Sequence, residues 1–129
     1  MRTDDELVAA ARKAAENAYA PYSGFRVGSA VLTGQGAMFS SANVENASYP
    51  VSQCAEANAI NFAVSQGMTE IPVVAVACID ANDVDQAYPC GRCRQIMSEF
   101  GVERVLVTTS DGEVREHSFD ELLPHRFDL

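Results

Sequence analysis

At Ser52-Gln53-Cys54-Ala55-Glu56 the chain carries a cysteine and a glutamate two positions apart, and at Pro89-Cys90-Gly91-Arg92-Cys93-Arg94 it carries two cysteines three positions apart. Cysteine thiolates are typical zinc ligands, and a carboxylate beside a metal site can act as a general acid and base. The two stretches are distant in sequence. We therefore expect the rest of the chain to form a scaffold that brings them together and builds a pocket over them.

The composition is typical of one globular domain that covers residues 1–129. The chain has 129 residues, of which 47% are hydrophobic, and a chain of this size usually forms one domain. Its net charge is −9, and it contains no run of basic residues. Because nucleic-acid binding depends on cations that neutralise phosphates, we expect no nucleic-acid partner. A small ligand that is neutral or cationic fits this charge better.

No targeting or membrane segment is recognisable in the sequence. The start of the chain, Met1 to Glu6, is acidic and lacks the apolar core of a signal peptide. The longest apolar run, Pro72 to Cys78, is too short to span a membrane. We therefore expect a cytoplasmic protein, in which disulfides are rare. The four cysteines then indicate metal binding or catalysis rather than a disulfide framework.

Hydrophobic periodicity and turn residues predict the element order α-β-β-α-β-α-β-β-α. This order predicts an α/β fold, a three-layer α/β/α sandwich around a five-stranded mixed sheet. The predicted helices are a first one capped by Thr3 and ending before Pro21, a second over Gln53–Gln66 capped by Ser52, a third over Cys90–Phe100 and a short fourth over Phe119–Pro124. The predicted strands are Phe25–Thr33, Ala37–Val44, the buried Val73–Ile79, Val105–Thr109 and the edge strand Glu113–Ser118.

Cys54, Cys90 and Cys93 are the predicted zinc ligands. All three lie at predicted helix N-termini, where the helix dipole favours thiolates. Cys90 and Cys93 are three residues apart and so share a helix face. Three protein ligands leave a fourth position open for water, as in catalytic zinc sites. Glu56, at the open end of the same helix as Cys54, is the predicted catalytic acid and base.

Other interpretations of the cysteines and histidines remain open at this point. Cys78 lies within a predicted buried strand and is expected to be a small core residue, while His117 and His125 are expected at the surface. A structural zinc site or a redox function for the Cys-x-x-Cys pair is also possible. The combination of Cys-x-Glu with Pro-Cys-x-x-Cys is, however, the signature of zinc deaminases in their three-cysteine form. It favours hydrolytic deamination of a free cytosine nucleoside.

These motifs resemble those of cytidine deaminases of the short, homotetrameric, zinc-dependent type. The resemblance extends over nearly the whole chain, because Tyr19–Ala30, Asn43–Tyr49 and Leu122–Phe127 also resemble blocks of that family. It implies one zinc ion per chain and deamination of cytidine and 2'-deoxycytidine in pyrimidine salvage. It also implies a homotetramer in which active sites are shared between subunits.

The resemblance further implies a set of substrate-binding residues. They are Phe25 against the pyrimidine, Asn43 and Glu45 at the ribose hydroxyls, Tyr49 in the nucleoside-binding block, the backbone of Ala55 and Glu56 at the base, and Phe127 closing a neighbouring subunit's pocket. Alternation along a strand independently places Asn43 and Glu45 on one face. Two exposed residues of a loop could have the same spacing, so this alternative for Asn43 and Glu45 remains open.

The chain departs from the family pattern at Ser41-Ala42, where Gly-Cys is common, and more importantly next to the metal site. The family usually reads Cys-Ala-Glu-Arg, where the arginine offsets the charge of the thiolates, but here the fourth residue is Ala57. The helix dipoles, Arg92 or Arg94 could replace that charge, or the site could serve another substrate. A deaminase of a modified cytosine nucleoside, such as a blasticidin-type antibiotic, and a non-catalytic zinc-stabilised module are the alternative functions.

Overall fold

The computed structural model describes residues 3–129, and its elements follow the predicted order. The α-helices in this range are α1 Asp4–Ala15, α2 Ala55–Ser65, α3 Gly91–Glu99 and α4 Phe119–Leu122. The strands are β1 Val27–Leu32, β2 Met38–Ala42, β3 Val73–Cys78, β4 Arg104–Thr108 and β5 Val114–Ser118. Of the acidic start that argued against a signal peptide, Met1 and Arg2 lie outside the described residues.

All five strands join one mixed sheet in the order β2-β1-β3-β4-β5. β1 pairs antiparallel with β2 and β3, β4 pairs antiparallel with β5, and only β3 and β4 are parallel. A parallel pair needs a crossover connection, and α3 lies in the connection between these two strands. The crossover therefore brings the start of α3 to the carboxyl end of β3.

The sheet is covered on both faces, because every residue of β3 is buried. Val74 and Val76 pack into a core cluster together with residues of α2 and α3. Ala75 and Ala77 point the other way and pack with residues of α1. The expected α/β/α sandwich around a five-stranded mixed sheet is confirmed. Cys78 is 1% exposed within this sheet, as expected for a small core residue.

The first helix is shorter than its sequence pattern predicts. It ends at Ala15 rather than just before Pro21, because the following backbone pairs elsewhere. Tyr19 donates to the carbonyl of Asn43 at 3.0 Å and accepts from the amide of Glu45 at 2.9 Å. These bonds attach the end of the α1 segment to the chain that follows β2.

The second helix also differs in two details from the sequence-based expectation. Its N-cap is Cys54 rather than Ser52, whose hydroxyl instead accepts from the amide of Asn46 at 3.0 Å. Helical spacing groups Phe62 with Ala55, Ala59 and Ala63 and so predicts that it is buried, but Phe62 is 52% exposed. Its ring packs edge-on against Phe39 with centroids 5.4 Å apart.

We expect Gly28→Ala to destabilise the fold, because α1 crosses β1 at this glycine. A Cβ at Gly28 would lie 1.9 Å from the carbonyl oxygen of Ala11 and 2.6 Å from the amide nitrogen of Ala15. Overpacking of this kind costs about 1–3 kcal/mol or more, measurable as a lower urea midpoint of unfolding. Gly91→Ala is the matched control, since no atom would lie within 4 Å of its Cβ. Equal midpoints for the two variants would contradict the expectation.

Within the described residues, the helices are all too short or too polar to cross a membrane.

Candidate active site

The structure brings the three predicted metal ligands together. Cys54 is the N-cap of α2, Cys90 is the N-cap of α3, and Cys93 lies in the first turn of α3. Their sulfur atoms all lie within 4.8 Å of one another. A tetrahedral zinc ion with Zn–S bonds of about 2.3 Å would hold its sulfur ligands about 3.8 Å apart. The three cysteines could therefore hold a metal ion, and an all-thiolate donor set suits zinc.

Among the three thiols, Cys54 carries a negative charge most readily. Hydrogen bonds from Cys93 and Cys90, with the positive charge of Arg92 nearby, lower the pKa of Cys54 to about 6. The same hydrogen bond to Cys54, together with burial, raises the pKa of Cys93. These opposite shifts describe one arrangement, in which Cys54 is the thiolate and its neighbours donate to it. The cluster thus presents an anionic sulfur near neutral pH, which is the form that binds metals.

Glu56 is a buried carboxyl group beside this cluster. It lies in the first turn of α2 and is 5% exposed. Burial raises the pKa of Glu56 to about 7, and the neighbouring charge of Cys54 acts in the same direction. A carboxyl group with a pKa near neutrality can both accept and release a proton at physiological pH.

A cavity of about 240 Å³ opens over Glu56 and is also lined by Cys54, Cys90, Ala55 and Asn43. A second cavity of about 300 Å³, lined by Tyr22 and Tyr49 among others, adjoins it. The two cavities share Glu45 and Ser52 as lining residues. Thiolates, a buried carboxyl and polar side chains therefore surround one continuous depression.

A family model, the cytidine and deoxycytidylate deaminase zinc-binding region, matches residues 1–109. The chain belongs to this deaminase family. A cytidine deaminase of Sporosarcina psychrophila is 38% identical over 125 residues, which cover 95% of this chain and 90% of that protein. A cytidine deaminase of Mycobacterium tuberculosis is 40% identical over 119 residues, which cover 92% of this chain and 85% of that protein.

Solved structures of the deaminase family agree with this assignment. The crystal structure of a cytidine deaminase from Burkholderia pseudomallei superposes with a TM-score of 0.88 at 41% identity, and the match covers 98% of this chain and all of that one. A blasticidin-S deaminase of Bacillus cereus is also similar, with 31% identity over 106 residues, or 78% of this chain and 76% of that protein.

The two residues that the family resemblance assigns to ribose both line the Glu56 cavity. The amide of Asn43 accepts from the backbone of Val27 at 2.8 Å and donates to the carbonyl of Phe25 at 2.9 Å. An amide can make four hydrogen bonds, so Asn43 retains one donor hydrogen and one acceptor site. Its side chain is thus held in place by the strand and remains available to a ligand.

The carboxylate of Glu45 is held by the loop that precedes β1. It accepts from the backbone amides of Tyr22 and Ser23 at 2.9 and 3.0 Å, and also from the Ser23 hydroxyl. The Ser23 hydroxyl, followed by these amides, lowers the pKa of Glu45. Glu45 is therefore an anionic acceptor fixed at the junction of the two cavities.

The aromatic candidates lie further from Glu56. Phe25 is 38% exposed, and its backbone carbonyl accepts from the Asn43 side chain. Tyr49 is 69% exposed in the adjoining cavity, where its ring packs edge-on against Tyr22 at 5.6 Å. Phe127 is 68% exposed and lines a separate depression near Gln95. Within one chain, the structure does not bring Phe127 to the cavity of Glu56.

The structure distinguishes between the two arginines that could replace the missing cation at Ala57, which is fully buried. Arg94 is engaged elsewhere, because it donates to the carbonyls of Pro89 at 2.8 Å and Leu122 at 2.7 Å. Arg92 donates at 3.0 Å to the side chain of Gln53, the residue that directly precedes Cys54. Its charge also helps to lower the pKa of Cys54. Of these two arginines, Arg92 is thus the one whose charge acts on the Cys54 thiolate.

Tyr88, which lines the Glu56 cavity, is among the site residues that sequence reasoning missed. It ends the acidic stretch Asp80 to Tyr88, which carries no recognised motif. Its position immediately before Pro89-Cys90 was the available signal. The surface expectation for His117 was also incomplete, because this side chain is only 22% exposed and contacts Tyr88. His125 is exposed, as expected.

Proposed function

We propose that this chain is a zinc-dependent enzyme that hydrolyses cytidine and 2'-deoxycytidine to uridine and 2'-deoxyuridine with release of ammonia. The observation that carries the proposal is the buried carboxyl of Glu56 in one cavity with Cys54 and Cys90. The cytidine deaminases among the relatives support cytidine as a substrate. Residues 1–129 would form one catalytic domain. It would act in pyrimidine salvage in the cytoplasm.

One zinc ion per chain would be held by Cys54, Cys90 and Cys93, whose sulfurs are close enough to share it. When bound there, zinc acts as a Lewis acid that activates a water molecule near neutral pH. The positive ends of the α2 and α3 helix dipoles point at this site, since Cys54 and Cys90 are their N-caps. These dipoles and Arg92 offset the excess negative charge of three thiolates.

Glu56 would move the protons of the reaction. It takes a proton from the attacking water and delivers it to the ring nitrogen next to the carbon that is attacked. The carbon–oxygen bond forms while that carbon becomes tetrahedral. Glu56 then delivers the second water proton to the amino group, the carbon–nitrogen bond breaks, and ammonia leaves. A buried carboxyl whose pKa is raised to about 7 is suited to both directions of transfer.

The remaining site residues would bind and orient the nucleoside. Asn43 retains a free donor and a free acceptor for a sugar hydroxyl, and Glu45 is an acceptor already in position. The backbone of Ala55 and Glu56, at the start of α2, lies in the cavity wall and would read the base. Phe25 and Tyr49 would supply aromatic surface at the cavity mouth.

The proposal is tested by a nucleoside panel, with cytidine, 2'-deoxycytidine and blasticidin S each followed by ultraviolet absorbance with and without a zinc chelator. Turnover of the first two that the chelator abolishes is the expected result. Negligible turnover of both, with deamination of blasticidin S, would favour the antibiotic deaminase. A protein that binds zinc but alters none of the spectra would be a non-catalytic module.

Arg92→Ala is expected to weaken zinc binding about tenfold, since residues next to metal ligands typically contribute 10–100-fold. The measurement is competition with a chromophoric chelator. Arg92→Lys should retain most of the affinity because it keeps the charge. Arg115→Ala is the matched control, because Arg115 is half exposed on the edge strand β5. Equal zinc affinity for all four proteins would refute the function assigned to Arg92.

We further propose a homotetramer in which Phe127 of one subunit closes the site of another. The high exposure of Phe127 and its distance from its own Glu56 cavity support this arrangement. Phe127→Ala and Glu56→Gln are each expected to have low activity alone, but co-refolded mixtures should regain activity. In such mixtures an intact Phe127 from one chain completes an intact Glu56 site of the other. Mixtures no more active than the average of their components would contradict a shared site.

A further inference from the structure

Tyr88 forms part of the wall of the cavity that holds Glu56, and the proposed mechanism does not use it. It is half buried and packs against the core cluster that contains Cys93. It also directly precedes Pro89 and the proposed metal ligand Cys90. A side chain at this position faces the space that a substrate of the proposed reaction would occupy.

A chain of hydrogen bonds through His117 to Glu121 holds the hydroxyl end of the Tyr88 side chain. Its hydroxyl lies 2.7 Å from Nε2 of His117, and Nδ1 of His117 lies 3.2 Å from Oε2 of Glu121. A carboxylate can only accept, so in the neutral ring Nδ1 carries the hydrogen and Nε2 accepts from the Tyr88 hydroxyl. The hydrogen bond from His117 also lowers the pKa of Glu121. The rings of Tyr88 and His117 pack edge-on with centroids 5.2 Å apart.

The backbone next to Tyr88 is attached to the same corner of the fold. Arg94 donates to the carbonyl of Pro89 at 2.8 Å and to the carbonyl of Leu122 at 2.7 Å. Leu122 ends α4, the helix that contains Glu121 and follows directly after β5 with His117. The segment before Cys90 is therefore fixed to the β5–α4 corner through both a side chain and the backbone.

We propose that Tyr88 is a specificity-determining residue, whose ring limits the size of the substituents that the cavity admits on the pyrimidine. His117 and Glu121 are positioning residues that act through Tyr88. A larger substituent must displace the ring, and displacement breaks the bond to His117 and leaves two half-buried polar groups without their partner. This inference rests on the proposed deamination of cytidine.

The test compares kcat/KM for cytidine, 5-methylcytidine and N4-methylcytidine, expressed as the ratio of each methylated substrate to cytidine. Tyr88→Ala removes the ring, Tyr88→Phe removes only the hydroxyl, and His117→Leu removes the bond from the other side. Tyr19→Ala is the matched control, because Tyr19 is 55% exposed and its side chain does not line the described cavity. Zinc content and the unfolding midpoint are recorded for each variant.

Tyr88→Ala is expected to raise at least one of the two ratios about tenfold, the effect typical of one methyl group in a pocket. Tyr88→Phe and His117→Leu should shift the same ratio in the same direction by about two- to tenfold, as expected for the loss of one hydrogen bond. His117→Gln should restore the wild-type ratio, since its amide can still bond the Tyr88 hydroxyl. Tyr19→Ala should leave both ratios unchanged.

Wild-type ratios in Tyr88→Ala would overturn the proposal. Where that variant fails to fold, wild-type ratios in Tyr88→Phe and His117→Leu overturn it instead. A shift in Tyr88→Phe with none in His117→Leu would overturn the positioning function of His117. Failure of the proposed reaction is distinguishable, because the wild type would then turn over no cytidine at all.

Discussion

Glu56→Gln is expected to lower kcat for cytidine deamination by about 10²–10⁴-fold, the usual contribution of a general acid and base. Glutamine has nearly the same shape as glutamate but cannot take a proton from water or return one to the substrate. Glu56 is 5% exposed in the first turn of α2, beside Cys54, so we expect no other group to take over its proton transfer. The loss should therefore appear in kcat, while KM for cytidine changes much less.

Zinc content separates this catalytic effect from a loss of structure. Glu56 is expected to act beside the metal rather than bind it, so Glu56→Gln should keep about one zinc per chain. Glu16→Gln, an exposed position at the end of α1, serves as the matched control and should retain full activity. Substantial turnover by a zinc-loaded Glu56→Gln variant would rule out Glu56 as the proton carrier.

Cys93→Ala is expected to weaken zinc binding by at least about 100-fold and to abolish deamination. Even residues that only contact metal ligands typically contribute 10–100-fold, so the loss of a ligand should exceed that range. Cys78→Ala is a closely matched control, because both cysteines are buried, at 0% and 1% exposure, and each variant loses one sulfur atom from the core. Only Cys93 has its sulfur within reach of Cys54 and Cys90.

The two cysteine variants are compared by zinc stoichiometry after dialysis and by thermal unfolding with and without a chelator. The chelator should lower the Tm of the wild type and of Cys78→Ala, since a ligand bound only to the folded state stabilises it. It should leave the Tm of Cys93→Ala unchanged. One zinc per chain in Cys93→Ala, or zinc loss in Cys78→Ala, would contradict the assigned ligand set.

Local sequence patterns predicted most of the architecture. The continuous apolar run at Val73–Ile79 predicted a buried strand, and the structure confirms it as β3, Val73–Cys78, in which every residue is buried. Boundaries were less accurate where long-range pairing competes with helix propensity, as at Tyr19, which leaves α1 to pair with Asn43 and Glu45. Phe62 was wrongly predicted to be buried for a similar reason. Helical spacing shows which residues share a helix face, but not which parts of that face another element covers.

The candidate site, like the fold, was predicted only in part from local sequence patterns. The spacing of Cys54, Glu56, Cys90 and Cys93 was sufficient to predict their meeting, because each element of a zinc site has a recognisable local pattern. The choice between Arg92 and Arg94 was not available from sequence. Both lie in one turn, and only the carbonyls that Arg94 contacts show which cation is left for the thiolates.

The chemistry proposed for this protein follows from the residue types and spacing of two stretches, Ser52 to Glu56 and Pro89 to Arg94. These are local properties that one sequence displays. The wall around that chemistry depends on tertiary structure. Tyr88 and His117 are separated by 29 positions. Only the tertiary arrangement of β5 beside the segment that precedes α3 brings the Tyr88 hydroxyl within 2.7 Å of Nε2 of His117. Hydrogen bonds between distant segments produce no periodic pattern in the sequence, so only the folded structure, in which the sheet has aligned its strands, shows them.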